Sequence, residues 1–182
     1  GRKYALRRMP DAESGRATLR AVGRRAGYGA RGLGKPGNGR GLPARVIPFE
    51  SFHVASTGID LLLGAICYGA SQVAVLATGR EPEGYVAALK KQMTYAEAIL
   101  QGLGYAGEHF KVLEADGLEN SLWNLTPAAT VAKPATFKLS PEKRTSLDFA
   151  FDFLSRKKTE EIRLPAGAPF GAVTVNKDTC TL

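Results

Sequence analysis

Cysteine is almost missing from this chain of 182 residues. The two present, Cys67 and Cys180, cannot build the disulfide framework of a small secreted domain. Histidine is equally scarce. His53 and His109 have no cysteine and no repeated carboxylate spacing beside them to complete a metal site. The sequence contains no GxGxxG and no Walker motif, so the common signatures of dinucleotide and nucleotide phosphate binding are absent. Long apolar runs are lacking as well. The longest, LLLGAICYGA at 61–70, is far short of the ~20 residues that span a bilayer. No apolar h-region follows the basic N-terminus, so no secretory signal is read there. The expectation is a soluble protein of the reducing cytoplasm.

Acidic residues are nearly absent from the first 45 positions, where twelve Lys and Arg face only Asp11 and Glu13. That segment carries +10 and the remaining 137 residues carry −2, within a total of +8. The high pI therefore describes one segment and gives no reason to read the whole chain as a nucleic-acid binder. Residues 1–42 read as a basic, Gly/Arg-rich, flexible segment. One helix is expected near 13–25. GYGARGLGKPGNGRG, at 27–41, has too few apolar side chains to offset its ordering entropy. An RG-type arm on nucleic acid is the sharper alternative. Only Tyr28 could stack on a base there, so nucleic acid is not the expected partner. A local frame error is a third reading of the same stretch.

From Pro43 the texture changes. ARVIPF, 44–49, reads as a first strand. STGIDLLLGAICYGA gives a helix near 57–68, capped by Ser56 or Thr57, and because little of it is polar it is expected to be largely buried. QVAVLATG, 72–79, is the clearest strand, and its unbroken apolar run suits a parallel strand covered on both faces. Val86, Leu89, Met93, Ala96, Leu100 and Leu103 repeat at three and four residues and predict a helix over 82–103. A strand at 110–115 and a short helix at 117–125 follow. This alternation predicts an α/β domain over 43–125: a mostly parallel open sheet with helices on its faces. Residues 126–139 read as a Pro/Ala/Thr linker. Ser140 and Pro141 open a helix over 140–158. Residues 159–182 hold two strand-like runs, 161–164 and 171–175, separated by Pro165, Gly167 and Pro169.

The closing stretch AVTVNKDTCTL has a strand, a polar turn and then Cys180. It resembles the lead-in to a bacterial four-iron ferredoxin module, in which CxxCxxCxxxCP follows such a strand. Close-set cysteines on a tight loop aim several thiolates at one cubane, which one cysteine cannot do. Together with RVIPFESFHVASTGIDLLLGAICYGASQVAVLATG, PATFKLSPEKRTSLDFAFDFL and LPAGAPFGAVTVNKDTC, it is similar to bacterial multidomain 4Fe-4S ferredoxin-type binding proteins over about 43–182. In these proteins a flavodoxin-like region precedes the ferredoxin repeats, so the resemblance implies a flavodoxin-like or Rossmann-like three-layer unit, and the α/β unit is distantly similar to the iron–sulfur (delta) subunit of methyl-viologen-reducing hydrogenases. The resemblance implies electron transfer within a larger redox assembly and a redox partner such as a dehydrogenase or hydrogenase-type complex. It implies further cysteines after Leu182, so a 4Fe-4S cluster is expected in the full-length protein and none in these 182 residues alone. Cys180 is then a cluster ligand only in a longer chain, and here an ordinary exposed thiol.

The hydrogenase subunit holds a two-iron cluster on cysteines in loops after its strands. The corresponding stretches here, 52–58 and 77–85, have none. Cys67 falls mid-helix on an apolar face and reads as a core residue. The unit is thus expected to be a docking or scaffold domain. An alternative uses the same loops for a flavin or nucleotide phosphate. Ser56, Thr57 and Gly58 precede a helix N-terminus, and Thr78, Gly79 and Arg80 follow the neighbouring strand, at the edge where open α/β sheets bind ligands. The plainer reading of both is helix capping and a turn. His53 is given a local polar role in its loop, and Glu81, Glu83, Glu160 and Glu161 read as solvated surface. No nucleophile–base pair is indicated, and the resemblance implies an electron carrier or accessory redox subunit rather than a catalyst by itself.

Overall fold

A computed structural model describes residues 17–23, 40–51, 54–155 and 161–171, with backbone only at 17–23, Glu50 and Ala55. His53, Cys180 and the expected strand beyond Gly171 lie outside the described residues. The order of elements is β1 (Ala17–Gly23), β2 (Val46–Ser51), α1 (Ile59–Cys67), β3 (Ala70–Ala77), α2 (Glu83–Gly102), β4 (Phe110–Glu114), α3 (Leu118–Trp123) and α4 (Lys143–Leu154). The four described strands form one sheet in the order β2-β1-β3-β4, and every pairing is parallel. The protein is therefore of the α/β class with a parallel sheet.

The helix expected near 13–25 is replaced by β1. Its register runs from Thr18 opposite Val46 to Gly23 opposite Ser51 on one side, and from Thr18 opposite Gln72 to Val22 opposite Leu76 on the other. Two parallel neighbours supply backbone partners on both edges of the strand. That outweighs the weak helical preference of a segment rich in Ala and Arg, and Thr18 and Val22 are β-branched. One inner strand of the sheet thus comes from within residues 1–42.

The connections β2 to β3 through α1 and β3 to β4 through α2 step across the sheet in one direction. Right-handed crossovers in one direction lie on one face. Accordingly α1 and α2 share a core with Val73, Val75 and Phe110. The connection from β1 to β2 steps the other way, and its described end lies on the opposite face. There Leu42 and Val46 join Ala74, Leu76, Leu113 and the α3 residues Leu118 and Leu122. β3 is buried at every position because both its faces are covered. Pro48 stands in β2, which pairs only with β1 among the described strands. An edge is where a residue without an N–H is tolerated.

Helix α1 is buried at all but two positions, Asp60 and Leu61. One side meets the sheet; α4 packs on the other, with Cys67 Sγ 3.9 Å from the Ala150 carbonyl. Fully burying each of Leu62 and Leu63 contributes about 1.5–3 kcal/mol. Residues 126–139 carry no helix or strand, yet they are tied down along their length. The Ala129 N–H donates to Ala106 O at 2.8 Å and the Ala135 N–H to Cys67 O at 2.7 Å. The Thr130 hydroxyl donates to Ala70 O at 3.2 Å, and Tyr68 Oη to Phe137 O at 2.6 Å. Val131 and Ala135 are buried. This stretch is a strap across the amino end of β3 that delivers α4 onto α1.

Gly107 makes the strap's approach possible. Its φ of +111° is open to glycine, and a Cβ there would sit 2.7 Å from the Cβ of Ala128. Of the helix expected over 140–158, α4 covers 143–154, and 156–158 lie outside the described residues. Its N-cap position is Glu142 without a side-chain cap, while Ser140 Oγ accepts from the Glu142 N–H at 3.1 Å. The strand-like run 161–164 is not a strand. Ile162 and Leu164 instead pack on the core, and the segment crosses α2, where Tyr95 Oη donates to Gly167 O at 2.7 Å. Packing of alternate apolar side chains against a helix satisfies the same pattern that a strand would.

Candidate functional site

The carboxyl ends of the parallel strands carry the two loops singled out in the sequence. The first follows β2. A single 3-10 turn, Val54–Ser56, touches β1, β3 and α2. Thr57 is buried and its N–H donates to Val54 O at 3.1 Å. Ser56 is exposed, with its Oγ 3.4 Å from Ser51 Oγ. Gly58 is the N-cap of α1 and provides no side-chain cap. The first N–H of that helix, at Ile59, is satisfied from elsewhere: it donates to Gln92 Oε1 of α2 at 3.2 Å. Asp60 occupies the first turn, where its carboxylate complements the positive end of the helix dipole. The next amides, Leu61 and Leu62, donate to Gly58 O at 3.1 Å, so at this helix start a side chain of α2 serves one N–H and the backbone serves two.

The second loop follows β3. Thr78 donates twice to Glu81, from its N–H to Oε2 at 2.8 Å and from its hydroxyl to Oε1 at 2.9 Å. Burial pushes the Glu81 carboxyl up, but these bonds and the turn's backbone N–H groups hold it below its ordinary value. Gly79 takes φ +74° at the tip and Arg80 is exposed. Here the sequence assigned Glu81 to solvated surface; it is instead the clasp of the loop. The signal was available. Thr78-x-x-Glu81 has the T-x-x-E spacing of a capping box, displaced just ahead of the helix that begins at Glu83.

Beside this loop lies a cleft of about 580 Å³ between the ends of β3 and β4 and the first turns of α2. Thr78, Gly79, Glu81, Glu83, Glu114 and Asp116 line it, with Lys90 and small apolar residues between. Ser56, Thr57, Gly58 and Arg80 do not line it. The two loops therefore share one edge of the sheet but not one cleft. Four carboxylates against one ammonium make the cleft acidic, which no local sequence pattern signals. Glu114 ends β4 and Asp116 follows it by two residues, so only the strand order brings them beside Glu81 and Glu83.

Cys67 is fully buried among the residues of α1, β3 and α4. Burial pushes its thiol up to about 12, so no thiolate is available at neutral pH. No group of three or more His, Cys, Asp and Glu side chains among the described residues is placed to hold a metal ion. His109 is also fully buried, at the opposite edge of the sheet. Its Nδ1 lies 2.8 Å from Glu97 Oε1 and its Nε2 2.8 Å from Ala129 O, while its N–H donates to Glu97 Oε2 at 2.9 Å. A carbonyl only accepts, so Nε2 carries a hydrogen. The ring joins α2, the start of β4 and the strap, and it has no free nitrogen for a ligand. Arg45 is a further anchor: its Nη2 reaches the carbonyls of Leu122, Trp123 and Leu125 at 3.3, 2.8 and 3.3 Å and caps the end of α3.

These features define an α/β protein with a parallel sheet, an acidic cleft at its carboxyl edge and a histidine clamp at its amino edge. No protein-family profile matches the chain, and no curated protein is significantly similar to it. No helix among the described residues is long and apolar enough to cross a membrane.

Proposed function

We propose that this chain is the α/β portion of an electron-transfer iron–sulfur protein and serves as the scaffold for a 4Fe-4S module that begins at Cys180. The observation that carries this reading is the course of residues 161–171. In sequence they run directly into AVTVNKDTC, and they are packed on α2 and α4 rather than standing off them. Tyr95 holds Gly167, a Cβ at Gly102 would stand 2.5 Å from Ile162, and the Phe170 ring meets Phe151 at 5.7 Å between centroids. Cys180 follows Gly171 by nine residues, which span at most about 30 Å when fully extended. A cluster seated there stays within reach of the α/β unit and of whatever protein docks on it.

On this reading the sheet order β2-β1-β3-β4 corresponds to the first four strands of a flavodoxin-like sheet. The partner is a redox enzyme or a dehydrogenase or hydrogenase-type complex. The cluster would be held by Cys180 and by cysteines that follow Leu182, with the thiolates as its ligands. The α/β unit contributes position rather than ligands, since its one cysteine, Cys67, is sealed in the core.

The test is the longer chain. Its sequence should place three more cysteines at ferredoxin spacing after Cys180. The purified protein should show a broad visible absorption that dithionite bleaches, and Cys180→Ala should lower its iron content by more than half. A cysteine-free continuation, or full iron content in the variant, would reject the proposal.

A further inference from the structure

We draw no further inference here: the strongest candidate, the cleft of about 580 Å³ between the 78–81 loop, α2 and the end of β4, rests on a cluster of acidic side chains into which no buried, unpartnered polar group among the described residues points.

Discussion

Single side chains decide two pH responses. Cys67 has no exposed surface, and burial raises its thiol from 9.0 to about 12. A thiol reagent at pH 8 should therefore leave Cys67 untouched in the native protein and modify it only as denaturant opens the core, which a timed reaction in increasing urea measures. Because the folded value is raised, the stability that this thiol contributes is complete below pH 9.0 and is lost as the pH rises toward 12. Glu81 works in the opposite direction. Its folded value is lowered, so its contribution is complete above the ordinary 4.5 and is lost as the pH falls through the folded value. Glu81→Gln should cost about 0.5–1 kcal/mol at neutral pH, and the gap from the native protein should close in strong acid. Urea melts at the two pH values give both numbers. A gap that persisted in acid would mean that the Thr78 bonds do not depend on the charge.

Elements depend on anchors that lie far away in sequence. α3 is only six residues long and too short to persist by itself. It is held by Leu118 and Leu122 on the sheet and by Arg45 at its open end. Trp123 adds a bond from Nε1 to Gly41 O at 3.0 Å, with the Arg40 guanidinium 4.3 Å above its ring. Arg45→Ala should cost about 1–3 kcal/mol, because three carbonyls lose a charged donor. Arg45→Lys should recover only part of it, since a point charge cannot reproduce the planar donor array. Thermal melts of both variants, with hydrogen exchange at 118–125, decide this. Most of the helices and strands were legible from apolar spacing: α1, β3, α2 and β4 fall within two or three residues of their expected limits. β1 was not, because its strand character comes from its two neighbours. The 161–164 run departs from its strand expectation for a related reason: alternating apolar residues fit a helix surface as well as a sheet edge.

At the scale of the whole molecule, the strap 126–139 and the His109 clamp join what looked like separate pieces. In the sequence these residues read as a linker, since Pro, Ala and Thr supply little to bury. The packing supplies it instead, through close backbone approaches at Gly107 and carbonyl partners at Ala70, Ala106 and Cys67. His109→Ala would leave the Glu97 carboxylate and the Ala129 carbonyl without their ring partners and would open a cavity. The expected cost is about 2–4 kcal/mol, with the urea m-value unchanged if strap, α4 and sheet unfold together. A lowered m-value with early loss of protection at 126–154 would show that the strap and α4 open separately from the sheet.

The residues alone determined the class of this protein. Short continuous apolar runs alternate with apolar repeats of three to four, and an unbroken apolar run in β3 requires cover on both faces, so a parallel sheet flanked by helices follows from local chemistry. The burial of Cys67 was legible for the same reason, as its position in α1 faces apolar neighbours whichever side is considered. Tertiary structure alone decided the membership of β1 in the sheet, the acidic cleft and the histidine clamp. Each joins residues that are distant in sequence, and no local pattern records a partner that only the strand order brings near.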